Sequence, residues 1–319
     1  MHSIEQLKEL YEEQFMPQLA EMNTMRRSIK KWKNLAIVSV IIAAIGYYTD
    51  PLWVKIVVGG LFTIATLFCA VKAIRKYKKY HAFFKREVVS KIIQLINPEF
   101  KYNPEKHIEL SEFNRSGIFK TEGERCMGDD LVVGTIDKTP FKFSEIKTEY
   151  KTVTTDDDGH KKTEWHQIFR GIFFFAEFNK HIQERTYVLP DGDGEVSNLF
   201  GKEKNKTRHH GSMVKLENPE FEDVFSVYGT SQQEARYILT PVMMEAMVNI
   251  HKTYGLKMYF SFTGNSVYCA IPFSRNLFEP KINKSGVKFE EVAEMYHLFN
   301  LIDILIKQLN LNTRIWTKE

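Results

Sequence analysis

Two apolar stretches near the N-terminus are separated by a short polar break. They run from Leu35 to Tyr48 and from Leu52 to Ile74, with the break at residues 49–51. The second stretch, as a helix, reaches roughly 35 Å and can span the hydrocarbon core of a bilayer. The first reaches only roughly 21 Å, and it spans if the residues just before it lie in the interface. The pattern predicts a transmembrane helical hairpin over residues 35–74.

Basic residues flank this hairpin on both sides, and the break between its two stretches carries no positive charge. The flanking residues are Arg26, Arg27, Lys30, Lys31 and Lys33 before it, and Arg75, Lys76, Lys78, Lys79, Lys85 and Arg86 after it. Under the positive-inside rule, both termini then lie in the cytoplasm. The sequence therefore predicts a multi-pass membrane protein whose first partner is the lipid bilayer.

Helical patterns continue on either side of the hairpin. Residues 1–34 predict a cytoplasmic helix that Pro17 kinks, and residues 75–98 predict a juxtamembrane helix that ends at Asn97 and Pro98. Apolar residues recur at helical spacing in both segments. Residues at this spacing form an apolar face, which fits either packing within the chain or self-association. The pattern does not distinguish between these two possibilities.

Residues 99–319 show short strand patterns, hairpins and two strong helix patterns. Their partial segregation favours a mixed, mainly antiparallel α+β cytoplasmic domain over a doubly wound parallel sheet. About 220 residues fit either one domain or two β-rich lobes. The predicted strands are 131–136, 140–146, 147–154, 161–169, 171–178, 185–189, 224–227, 257–262, 266–271 and 312–316, and the predicted helices are 240–254 and 288–309.

The net charge and the cysteine spacing argue against several classes of function. The net charge of +4 is too mild to indicate a nucleic-acid binder. Three widely spaced cysteines, Cys69, Cys126 and Cys269, form no CxxC pair and predict neither a disulfide framework nor a zinc ribbon. We therefore expect no metal site, no cofactor and reduced thiols.

Ordered blocks in the second half of the chain carry a family resemblance. These blocks are GDDLVVGTI, FSEI, FRGIFFFAEFNK, VLPD, VKLENPEFEDVFSVY, SQQEARYILTP, NLFEP and LNTRIW, between Gly128 and Trp316. The chain resembles the bacterial domain-of-unknown-function family 3137. The resemblance implies a two-span protein of the bacterial inner membrane, and it supplies no catalytic residues.

Two polar segments are candidate binding sites. Asp191 and Asp193 alternate with glycines, as in calcium loops, but the ligands that would complete an EF-hand loop are missing. The segment is therefore either a weak cation site or an acidic turn. Glu234 and Arg236, in the segment Ser231 to Tyr237, either contact a ligand or partner or form internal bonds in a short helical turn.

The sequence contains no recognised catalytic frame, and catalytic residues remain unassigned. It lacks GxSxG, a Walker A sequence, GxGxxG and HExxH. The favoured hypothesis is a membrane-anchored, cytoplasm-facing binding or adaptor protein that is not an enzyme. Its expected partner is a protein, a lipid headgroup or a small ligand at the membrane surface. One alternative is a membrane-associated hydrolase or metal-dependent enzyme that gathers His166, His181, Asp191 and Asp193 in one cleft. The other is a structural homo-oligomer.

Overall fold

The computed structural model describes residues 4–155, 159–191, 210–280, 282 and 287–308. The chain divides into two compact units. The first comprises Met1–Ile96 with Phe278–Tyr296, and the second comprises Asn97–Leu277 with His297–Glu319.

The N-terminal part of the first unit is helical. Its elements are α1 (Ile4–Leu10), a π-helical turn (Tyr11–Phe15), α2 (Met16–Tyr48), α3 (Leu52–Val54), a second π-helical turn (Lys55–Gly59), α4 (Gly60–Phe84), a third π-helical turn (Lys85–Val89) and α5 (Ser90–Ile96). Pro17 lies in the first turn of α2, directly after a π-helical turn. The chain is helical on both sides of Pro17, since Phe15 is also in the right-handed helical region and the Met16 N–H bonds to the Tyr11 carbonyl. The π-helical turn is therefore where the helix accommodates the missing N–H of the proline.

Helices α2 and α4 lie side by side, joined by the predicted break. A Cβ atom on Gly46 would come within 2.9 Å of the backbone nitrogen of Gly59. The rings of Trp32 and Phe68 are 6.0 Å apart at the other end of the pair. Small residues allow two helix backbones to approach closely, so Gly46 is the position that sets the spacing of this pair.

One helical segment of the described chain is long and apolar enough to cross a membrane. It is the 45-residue run Leu52–Ile96, which includes α3, α4 and α5. The apolar part of α2 is shorter. By length and composition alone, the chain therefore shows one apolar segment of membrane-spanning type.

The second unit is built on one sheet. Its strands are β1 (Lys101–Asn103), β2 (Arg125–Ile136), β3 (Thr139–Thr155), β4 (Lys161–Pro190), β5 (Ser212–Val214), β6 (Phe225–Gly229) and β7 (Tyr259–Pro272). They follow the order β1-β2-β3-β4-β6-β5, and β7 also pairs with β4. Every strand pair in the described residues is antiparallel, which confirms the α+β prediction with an antiparallel sheet.

The long strand β4 organises this sheet. It pairs with β3, β6 and β7 in turn, and its register with β7 shifts twice between Glu177 and Thr186. In its aromatic run Phe173 and Phe174 are fully buried, as the apolar pattern predicts, and Phe175 is partly buried. Residues 185–189, predicted as a separate strand, are instead the end of β4.

Another expectation about the strands is wrong. Residues 257–262 and 266–271 do not form a hairpin across Gly264 and Asn265, because β7 runs through them as one strand. Gly264 has a φ of 60° and pairs with Ile182, where the register shifts. The glycine therefore accommodates a local irregularity within a strand rather than a chain reversal.

The helices that follow α5 in the described residues are α6 (Leu110–Ser116), α7 (Pro219–Glu222), α8 (Gln232–Ile238), α9 (Pro241–Tyr254) and α10 (Phe289–Gln308). Both predicted long helices are present. Thr240 caps α9 by accepting a hydrogen bond from Met243, and Gly255 ends it with a φ of 62°. Helix α10 begins in the first unit and ends in the second. The predicted strand 312–316 lies outside the described residues.

Candidate functional site

The hairpin formed by β3 and β4 extends past the rest of the sheet. Pairing of β2 with β3 ends at Arg125 and Glu149, and pairing of β7 with β4 begins only at Gly171. Residues 150–155 and 161–166 therefore pair only with each other among the described residues, and Gln167 pairs with Glu149 at the base. We call these two segments the hairpin arm.

The two faces of the arm differ in character. Successive side chains of a strand alternate between faces, so Lys151, Val153, Thr163 and Trp165 share one face. On that face Val153 is 52% exposed and Trp165 is 41% exposed. The face thus presents a large aromatic side chain and a branched apolar one to solvent.

Side-chain contacts hold the opposite face together. Thr152 Oγ1 and His166 Nε2 are 2.8 Å apart, within hydrogen-bonding distance. The ring of Tyr150 lies 5.1 Å from the His166 ring. These cross-strand contacts restrict an element that has no further strand on either side in the described residues.

A charged cluster fixes the base of the arm. Arg125 Nε donates to Glu149 at 2.9 Å, and Lys147 Nζ lies 2.5 Å from the other carboxylate oxygen. The Lys147 ammonium and the Arg125 guanidinium hold the pKa of Glu149 below its usual range. Arg125 also lies over the Trp165 ring. One residue of β2 therefore links the sheet to the exposed face of the arm.

Glu234, one of the predicted binding residues, bonds within the protein. Its two carboxylate oxygens accept hydrogen bonds from the backbone N–H groups of Gln183, at 2.9 Å, and Glu184, at 2.8 Å. These donors lie where the register of β4 with β7 shifts and the regular ladder is interrupted. Glu234 thus supplies acceptors that the ladder does not.

Arg236 also makes bonds within the chain. Its guanidinium lies 3.3 Å from the carbonyl oxygen of Lys215 and 3.4 Å from the side-chain oxygen of Gln232. Ser231 caps the helix that carries both Glu234 and Arg236. In the structure this segment is therefore a short capped helix whose two charged side chains face chain partners.

The predicted acidic segment is only partly described. The Asp191 backbone N–H donates to Val224, and the Asp191 carboxylate accepts from Ser226 Oγ at 2.6 Å. These bonds fix the end of β4 against β6. Asp193 lies outside the described residues.

The residues of the enzyme alternative have separate partners. His166 lies in the arm beside Thr152, whereas the His181 ring nitrogen is 2.8 Å from Asn265, and Asp191 bonds to Ser226. His166 and His181 lie fifteen positions apart along β4. The described structure does not gather them in one cleft.

Three carboxylates form a cluster that the sequence analysis missed. Oxygens of Asp129, Asp130 and Glu145 lie within 4.8 Å of one another. Asp130 accepts from the Tyr102 hydroxyl, and Glu145 accepts from the Leu277 N–H at 2.9 Å. Burial, together with Asp130, raises the pKa of Tyr102.

Carboxylate oxygens are the ligand type that hard cations such as Ca²⁺ and Mg²⁺ prefer. All three carboxylates of this cluster also interact with other groups of the chain. The only sequence signal was the pair Asp129 and Asp130 within GDDLVVGTI, because Glu145 joins them through strand register.

A cysteine and a histidine also meet in this unit. Cys126 Sγ lies 3.7 Å from His107 Nδ1, and that nitrogen is 2.8 Å from the Ile108 carbonyl oxygen. The carbonyl requires Nδ1 to carry hydrogen, so this nitrogen cannot accept the thiol proton. Burial raises the pKa of Cys126 to about 11, opposite to the shift that a nucleophilic thiolate requires.

Comparison with known families confirms the resemblance seen in the sequence. The family model described as protein of unknown function (DUF3137) matches residues 167–311. The matched region begins at the base of the arm and includes Glu234 and Arg236. A search of curated proteins finds no significant match.

Among solved structures, the chain is similar to that of the mycobacterial trehalose monomycolate transport factor A, TtfA. The sequence identity is 14%, and the alignment covers 70% of this chain and 96% of that one. The TM-score is 0.37.

Proposed function

We propose that this chain, which carries a DUF3137 domain at residues 167–311, is a membrane-anchored adaptor that binds a protein partner through the hairpin arm. The observation that carries the proposal is the exposed Trp165 face on a projecting, internally braced hairpin. The anchor holds the chain at the membrane.

The outer surfaces of both long helices support the anchor. Apolar side chains at least 38% exposed run along α2 and along the segment from α3 to α4, and a soluble monomer rarely exposes so large an apolar surface. They are Leu35, Ile37, Val38, Val40, Ile41, Ile45, Leu52, Trp53, Ile56, Val57, Leu61, Ile64, Leu67, Phe68, Val71 and Ile74. Because both helices share this surface, we propose that both cross the bilayer.

The charges at the ends of the helix pair support an orientation. Both basic flanks lie on the side of the termini, whereas the turn at the other end holds an ion pair of Asp50 with Lys55 at 2.9 Å. In the proposed topology the helix pair spans the inner membrane of a bacterium. Both termini and the sheet lie on the cytoplasmic side.

Cysteine labelling tests this topology. Thr49→Cys places a thiol in the turn, and Thr154→Cys places one in the hairpin arm. An impermeant maleimide should label Thr49→Cys in intact spheroplasts and Thr154→Cys only after the membrane is opened. Labelling of Thr154→Cys in intact spheroplasts would overturn the orientation.

The chemistry of the arm suits a protein partner. Tryptophan and arginine are enriched among the residues that dominate binding energy at interfaces, and here Arg125 stacks on Trp165. The Glu149 cluster orders the base of the arm in the free protein, so that less conformational entropy is lost on association. The family match begins at residue 167, directly after the arm, so the arm lies outside the matched region.

Crosslinked affinity purification from native membranes tests the adaptor function. The full-length chain should capture a partner that Trp165→Ala captures at least tenfold less, the loss typical of a dominant interface side chain. Val242→Ala is the matched control, because Val242 is 62% exposed but lies on α9, away from the arm. Equal capture by both variants would overturn the role of the arm. Recovery of only the chain itself would favour the homo-oligomer.

A further inference from the structure

A groove of about 450 Å³ opens on the first unit, beside the helix pair. It is lined by Ile29, Lys33, Ala73, Ile74, Tyr77, Pro280 and Ile282, all within that unit. Its walls are mostly apolar, and Lys33 is the basic residue among those that line it. The volume is within the range of small-molecule and lipid sites.

The groove lies where the apolar surface of the helices gives way to the basic flanks. The run of exposed aliphatic side chains in α2 begins at Leu35, two residues after Lys33, and that in α4 ends at Ile74, next to Arg75. In a helix, side chains tilt toward the N-terminus, so the Lys33 side chain leans away from the apolar surface. If the pair crosses the bilayer, this level is that of the lipid headgroups.

The charge around the groove selects the sign of its ligand. The two helical segments beside it, residues 26–35 and 70–79, contain ten lysines and arginines and no aspartate or glutamate. Glu279, next to the lining residue Pro280, contributes one opposing charge near Tyr77, so the excess around the groove is basic. Such clusters at a membrane surface attract anionic lipids. The apolar side of the groove excludes a purely polar ion and accommodates the upper part of an acyl chain, against Ala73 and Ile74.

We propose that the groove binds one anionic phospholipid of the cytoplasmic leaflet. Its phosphate pairs with the Lys33 ammonium, and one acyl chain lies against Ala73 and Ile74. The Tyr77 ring, 40% exposed, stands at the rim as interfacial aromatics do. The proposal rests on the membrane anchor of the proposed function, and it is independent of the hairpin arm.

Native mass spectrometry of the full-length chain, released from nanodiscs that contain phosphatidylglycerol and phosphatidylcholine, tests the groove. We expect one retained phosphatidylglycerol, and Lys33→Gln should lower its occupancy about fivefold, the effect of removing one basic contact near an anionic surface. Lys31→Gln is the matched control, because Lys31 belongs to the same basic flank but does not line the groove. Ala73→Phe, which fills the groove without changing charge, should also release the lipid.

Equal lipid loss from Lys33→Gln and Lys31→Gln would overturn the groove, since general attraction by the flank then explains the binding. Equal retention of phosphatidylcholine and phosphatidylglycerol would overturn it as well. Recovery of the wild-type chain in the soluble fraction would overturn the anchor and the groove together. Recovery in membranes, with lipid retention unaffected by Lys33→Gln and Ala73→Phe, would overturn the groove alone. If Trp165→Ala lost partner capture but retained the lipid, the hairpin arm and the groove would be independent sites, as proposed.

Discussion

The guanidinium of Arg125 lies 4.1 Å from the centre of the Trp165 ring. Arg125 is the first residue of β2, and Trp165 lies in the part of β4 that pairs only with β3 among the described residues. The contact therefore joins the body of the sheet to the hairpin arm. It also holds an aromatic side chain in place while leaving 41% of it exposed.

A double-mutant cycle on Arg125→Ala and Trp165→Ala measures this contact. At a partly exposed site, a cation–π pair contributes about 0.5–1 kcal/mol, and we expect that coupling energy. Thermal unfolding of the purified chain and its three variants in detergent provides the measurement. Arg125→Lys, which keeps the charge but loses the planar stacking group, should retain only part of the coupling. Strictly additive effects would show that the ring and the guanidinium do not interact.

The Glu149 cluster predicts a dependence of stability on pH. The pKa of Glu149 is lowered in the folded chain by Lys147 and Arg125, so the unfolded chain binds the proton more tightly. Its contribution to stability is therefore complete above the unfolded pKa of about 4.3 and is lost as the pH falls through the lower, folded value.

Melting temperatures of the wild type and Glu149→Gln between pH 7 and pH 3 check this sign. The difference between the two should be largest near neutral pH and should shrink as the pH falls below about 4. Glu164→Gln is the control, because Glu164 is exposed and solvent screens its interactions with Lys162 and His166, so its effect should be smaller at every pH. A difference that grows on acidification would contradict the assigned direction.

The local elements of this chain follow from its sequence because their signals are local. Thr240, Pro241 and Gly255 mark the two ends of α9 with a cap, a first-turn proline and a left-handed glycine. Alternation, together with the polar sequence Asp156 to Gly159, predicts the pairing of β3 with β4. In each case, the residues that determine the element lie within it or directly beside it in the sequence.

The longer-range features could not be read in the same way. The pair Gly264 and Asn265 has the composition of a hairpin turn, yet β7 passes through it, because pairing with β4 on both sides fixes the strand. Likewise, nothing near Glu234 in the sequence indicates that its carboxylate reaches the backbone of Gln183 and Glu184, about fifty residues earlier. Both outcomes depend on the irregular register of β4.

The bonds of Glu234 predict different effects for its replacement and that of Arg236. Glu234→Ala leaves two backbone N–H donors of β4 without their carboxylate partner, and we expect a loss of about 1–2 kcal/mol, moderated by solvent access. Arg236→Ala removes only two long, exposed hydrogen bonds and should stay within about 0.5 kcal/mol of the wild type. Chemical unfolding in detergent gives both values. A smaller effect from Glu234→Ala than from Arg236→Ala would contradict the bonding described here.

The raised pKa of Cys126 predicts that its thiol is alkylated slowly. With a pKa of about 11, on the order of one thiol in a thousand is ionised at pH 8, at least a hundredfold less than for an ordinary exposed cysteine. Iodoacetamide alkylation, followed by mass spectrometry of the peptide, measures the rate. Thr154→Cys supplies an exposed thiol in the same chain for comparison. Rapid alkylation of Cys126 that His107→Ala abolishes would instead indicate an activated thiol.

Two glycines of the helix pair, Gly46 and Gly60, predict opposite outcomes for the same substitution. A Cβ on Gly46 would lie 2.9 Å from Gly59 N and 3.1 Å from Val58 Cγ1, so Gly46→Ala must push the helices apart. A Cβ on Gly60 would meet nothing within 4 Å, so Gly60→Ala keeps the packing and removes the conformational entropy of a helical glycine. We expect Gly46→Ala to lower the melting temperature in detergent and Gly60→Ala to leave it unchanged or raise it. Because both changes add one methyl group to neighbouring parts of the same pair, similar shifts for the two would mean that contact at Gly46 does not set the helix spacing.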